Sequence, residues 1–77
     1  DISFRLQQST PVRVVIYSRS GRARRVLADG RWFDPGEHVV SWDGRDADGD
    51  VVATGLYIVH LEAGDAERTQ VIGVGRR

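Results

Sequence analysis

Apolar and polar residues alternate along most of this chain with a period of two, the pattern of strands that bury one face. Ile2, Phe4 and Leu6 alternate with polar neighbours and predict a first strand. Residues 12–17 (V-R-V-V-I-Y) predict a second, rich in β-branched side chains that suit a pleated surface. Ser18-Arg19-Ser20-Gly21 supplies a hairpin turn. Residues 24–28 predict a short third strand closed by Asp29-Gly30, although residues 22–27 also read as a single helical turn. After an Asp34-Pro35-Gly36 turn, residues 37–42 place His38, Val40 and Trp42 on one face. Residues 55–62 are the clearest strand, with Tyr57, Val59 and Leu61 on one side, and Ala63-Gly64-Asp65-Ala66 turns the chain into a last strand over 68–74. No helical period persists. Turn signals every eight to twelve residues or so predict an all-β antiparallel sandwich of about seven short strands, as one domain over residues 1–77.

A sandwich strand needs apolar residues only at alternate positions. Three strands here exceed that need. Leu56 and Ile58 oppose Tyr57, Val59 and Leu61; Val15 and Tyr17 oppose Val12, Val14 and Ile16; Val71 opposes Ile72 and Val74. Either loops and sheet curvature cover the second face, or that face is a contact surface for another domain or subunit. On the second reading Leu56 and Ile58 are interface candidates. So are Ile2, Phe4 and Leu6, because the first strand and the following Gln7-Gln8-Ser9-Thr10-Pro11 read as a segment that completes the sheet of another copy, or as a linker.

Composition narrows the chemistry. A 77-residue chain makes one small core, and the absence of cysteine removes both disulfide staples and thiolate catalysis. No apolar run approaches the roughly 20 residues of a membrane-spanning helix. The eleven positive charges are all arginine and are matched by eleven acidic residues, so no net field draws the domain to nucleic acid or an anionic surface.

The order of short motifs adds a resemblance. V-R-V-V-I-Y-S-R-S-G-R (12–22) is followed by Arg25-Val26-Leu27, by Gly36-Glu37-His38, and by Val40-Ser41-Trp42-Asp43-Gly44. Asp46-Ala47-Asp48-Gly49, Ala53-Thr54-Gly55-Leu56-Tyr57 and Leu61-Glu62-Ala63-Gly64 complete the series. This order resembles the FlgD-like immunoglobulin-like domain over roughly residues 2–74, with Ser18 where that family usually has aspartate. The resemblance implies an immunoglobulin-like sandwich with Trp42 and Tyr57 in its core. It also implies a non-catalytic role in an exported bacterial protein, extracellular or at the cell surface: accessory, attachment, sorting or assembly. Its partners would be other domains of the parent chain or like subunits, including a homo-oligomer or a filament.

The candidate chemistry is sparse. Asp43, Asp46, Asp48 and Asp50 are the one group with the character of a calcium site, since calcium takes several oxygens from closely spaced carboxylates. Aligned on Gly49, however, an EF-hand loop would need its first carboxylate at Gly44 and its bidentate glutamate at Gly55. A solvated Asp-Gly turn is the simpler reading, and no cofactor is required. His38 and His60 fall on different faces, which disfavours a shared zinc ion. Ser41, His60 and Asp43 supply triad residue types without a nucleophile elbow. Arg22, Arg24, Arg25 and Arg31 make a local basic patch, with Arg76 and Arg77 at the end, that could take a polyanion such as a surface polysaccharide or nucleic acid, but whose plainer role is to protect a strand edge. Trp32, beside a turn, is the residue a glycan would stack on if the domain bound one.

Overall fold

The computed structural model describes residues 1–75. Six strands run in chain order: β1 (Ile2–Leu6), β2 (Thr10–Ser18), β3 (Ala23–Phe33), β4 (Gly36–Val40), β5 (Gly55–Ala63) and β6 (Ala66–Val74). β1 and β4 form a two-stranded antiparallel sheet, and the other four form a second antiparallel sheet in the order β3-β2-β5-β6. The all-β sandwich is as expected, with six strands rather than seven.

The core follows from the alternation. Val12, Val14 and Ile16 of β2 are fully buried, facing inward beside Tyr57, Val59 and Leu61 of β5. Ile2, Phe4 and Leu6 close over them from the small sheet, in register with Val40, His38 and Gly36. Phe4, Phe33 and His38 stack mutually, with ring centroids 5.0–5.6 Å apart. Each large side chain removed from water here contributes about 1.5–3 kcal/mol. The first strand is therefore a core element of its own chain and not a detached segment. Removing its three apolar residues would strip the cover from the four-stranded sheet.

Two boundaries differ from expectation, for reasons of backbone geometry. Asp29-Gly30 does not end β3. Val12 faces Arg31 while Arg13 faces Asp29, so Gly30 (φ +73°) is the additional residue of a bulge inside a continuous strand. Further register shifts follow between Val14 and Val15 and between Ile16 and Tyr17, so β3 is strongly coiled. β4 stops at Val40, short of Trp42. Trp42 instead packs against Tyr57 at 5.6 Å and donates its indole N–H to the Arg45 carbonyl at 2.9 Å. Between β4 and β5 the chain is irregular, held by one bridge between Arg45 and Val51, with Val52 buried as a plug. No seventh strand forms there.

Candidate functional site

The outward side of the four-stranded sheet is divided by chemistry. Side chains from neighbouring strands line up in cross-strand rows: Val26, Val15, His60 and Thr69 in one, and Tyr17, Ile58 and Val71 in the next. Leu56 extends the apolar half opposite Gly73. Val15 is 1 % exposed although it lies outside the main core, because its neighbours in the rows enclose it. Those neighbours are themselves open to solvent: Val26 is 47 % exposed, Leu56 49 % and Val71 63 %. Ile58 is half-buried between them. Leu56 and Ile58 thus lie together on an uncovered apolar surface. Ile2, Phe4 and Leu6 do not join it, since alternation turns all three into the core.

The other end of the same face is charged. Arg13 reaches Asp29 at 3.2 Å and Glu62 at 3.8 Å, while His60 lies 3.4 Å from Glu62 and 3.8 Å from Glu67. His60 Nδ1 also meets Thr69 Oγ1 at 3.2 Å. The Arg13 pKa is raised above its ordinary value, chiefly by the hydrogen bond to Tyr17, with Asp29 adding to it. Arginine is charged at any working pH in either case, so this shift gives stability no pH dependence there.

Two aspartates of the 43–50 loop, Asp43 and Asp46, bond to the loop's own backbone. Asp46 accepts hydrogen bonds from the amides of Asp48 (2.9 Å) and Asp50 (3.0 Å). Asp43 accepts from the Arg45 amide at 3.0 Å and pairs with Arg25 at 3.2 Å. Among the described residues, no three of His, Cys, Asp or Glu are grouped to hold a metal ion. Of the four residues in the calcium reading (Asp43, Asp46, Asp48 and Asp50), Asp43 and Asp46 are drawn into an Asx-type turn by nearby amides and a guanidinium, which favours the turn over a cation site for this pair.

The remaining candidates are scattered. His38 contacts the carbonyl of Asp34 at 2.6 Å and stacks on Phe4, far in register from His60 on the outer face. Ser41 donates to Asp1 at 3.0 Å, so Ser41, His60 and Asp43 each have a different partner and form no relay. Trp32 is 68 % exposed, on the lip of an open groove of about 590 Å³ between β3 and β4. Arg31 lies over the Phe33 ring at 4.8 Å in the same groove.

β3 and β6 border the large sheet, and among the described residues β6 pairs only with β5. Period-two reasoning identified the apolar second face. It did not single out the β6 edge, although the uncharged run Thr69-Gln70-Val71-Ile72-Gly73-Val74 was a visible signal.

No curated protein and no solved structure shows a significant match to this chain. The family model described as the FlgD Ig-like domain matches residues 2–67, leaving most of β6 beyond the match. Since that match spans β1 to β5 and most of the chain, the chain belongs to the FlgD Ig-like domain family.

Proposed function

We propose that this domain is a non-catalytic interaction module of an exported bacterial protein, acting outside the cytoplasm by docking against a neighbouring domain of its parent chain. The docking surface is the apolar half of the outer face. The observation that carries this reading is the exposure of Val26, Leu56 and Val71 around a fully buried Val15. Contiguous apolar surface of this kind marks contact sites, whereas isolated exposed apolar residues do not. Family membership supports a structural role, and the dispersal of Ser41, His60 and Asp43 gives no competing catalytic arrangement.

Hydroxyl-radical footprinting of the isolated chain and of the longer protein that carries it tests the proposal. Val26 and Leu56 are expected to label strongly in the isolated domain and to be protected in the parent. Equal labelling in both would contradict docking through this face.

A further inference from the structure

Sheet edges are ready templates for pairing, and proteins normally protect them with bulges, charges, prolines or short length. Three of the four edges here are protected in that way. β3 carries its register shifts, and its Arg24 carbonyl accepts the Ala47 amide at 2.9 Å. β4 is only five residues long. On β1 the Ser3 carbonyl accepts a hydrogen bond from the Arg68 guanidinium. β6 is different. It runs nine residues in unbroken register with β5, without proline or lysine, and its two charges, Glu67 and Arg68, lie near its start.

The hairpin fixes which backbone groups face outward. Ala63 and Ala66 are paired across a two-residue Gly64-Asp65 turn. Gly64 has φ +60° and no other residue type has positive φ, as in a type II′ turn. The pair closing such a turn exchanges hydrogen bonds, and the ladder then alternates. Arg68, Gln70 and Ile72 accordingly bond to β5. Glu67, Thr69, Val71 and Gly73 direct their N–H and C=O groups to the free edge, and their side chains lie on the outer face.

We propose that β6 pairs antiparallel with β6 of a second copy of this chain, about a two-fold axis passing through Val71. The two four-stranded sheets then become one. An axis perpendicular to the sheet keeps both outer faces on one side, so only residues of the same face can be opposed. With Val71 on the axis, Val71 faces its own counterpart and Thr69 faces Gly73 of the second copy. Every pair formed by these three residues exchanges both of its hydrogen bonds. The row Tyr17, Ile58, Val71 continues without a break into the same row of the second copy. Moving the axis to Thr69 would set Glu67 against Val71 and leave Gly73 opposite the turn. On the inner side, Gln70 and Ile72 of the second copy extend over the groove lined by Ile2, Trp42 and Ile72. This edge adjoins the apolar docking face and shares Val71 with it, whereas Val26 and Leu56 lie on that face away from the edge, so labelling of Val26 and Leu56 tests docking and sedimentation tests the β6 pairing.

The test is sedimentation of the purified chain over a concentration series, alongside Val71→Pro and Val71→Lys. Proline at position 71 removes an N–H that β5 does not use. Lysine opposes two ammonium groups across the axis while leaving the backbone intact. The wild-type chain is expected to rise from the mass of one chain to that of two. Both variants are expected to stay at one, with wild-type circular dichroism. If Val71→Pro fails to fold, Val71→Lys alone decides. A wild-type chain that stays monomeric, a folded variant that still dimerises, or a mass that grows past two would each overturn the proposal.

Discussion

At the scale of single residues, the one hydroxyl carried into the apolar interior, among the described residues, is tied to a particular backbone atom. Tyr57 is buried and its hydroxyl donates to the Ala53 carbonyl at 2.6 Å, fixing the start of β5. Tyr57→Phe keeps the ring and removes that bond, so unfolding in urea should show a loss of about 1 kcal/mol. Gly30 gives a sharper case. Nothing lies within 4 Å of a Cβ added there, yet φ is +73°. Gly30→Ala should therefore cost about 1–2 kcal/mol from backbone conformation alone, without steric conflict. A turn rather than a cation site in the 43–50 loop makes another prediction. Millimolar calcium should leave the melting temperature unchanged, while Asp46→Ala should lower it through the loss of two amide hydrogen bonds. A calcium-dependent rise in melting temperature would restore the metal reading.

At the scale of elements, the contrast between β1 and β6 is the most instructive. β1 has its apolar residues inside and β6 has most of its surface outside. Deleting residues 1–8 should abolish the dispersed amide spectrum of a folded domain. Val71→Ala, on the exposed edge, should change stability by less than about 0.5 kcal/mol, as surface substitutions usually do. The inward faces of β2 and β5 were legible in the sequence, because a period of two depends only on neighbouring residues. The partner of β1 was not, since nothing local to Ile2, Phe4 and Leu6 signals a pairing with β4 more than thirty positions on. The end of β3 was obscured for a related reason. Asp29-Gly30 has the same chemistry in a turn and in a bulge, and only the strand opposite decides between them. Likewise, closely spaced carboxylates imply a cation until the positions of Arg25 and the loop amides are known.

At the scale of the molecule, a two-stranded sheet laid over a four-stranded one leaves an unequal sandwich. The small sheet buries one face of the large sheet. The other face and the β6 edge keep both apolar surface and unpaired backbone groups. That division suits the structural role that the FlgD Ig-like family has. The domain's stability should still depend on the shared core: Ile16→Ala, at a fully buried position in the central strand, should cost about 2–5 kcal/mol. Such a loss is large for a domain whose whole margin is of order 5 kcal/mol. Denaturant titration would show it as a midpoint moved far toward buffer, with the folded baseline shortened or lost.

The most direct measurement of the central claim is residue-resolved amide hydrogen exchange along β6 at low and high protein concentration. The amides of Arg68, Gln70 and Ile72 should be protected at both concentrations, because β5 holds them. Those of Thr69, Val71 and Gly73 should exchange freely in dilute solution and become protected as the chain is concentrated. Protection of all six in dilute solution, or no change on concentration, would contradict an open β6 edge that pairs with a second copy.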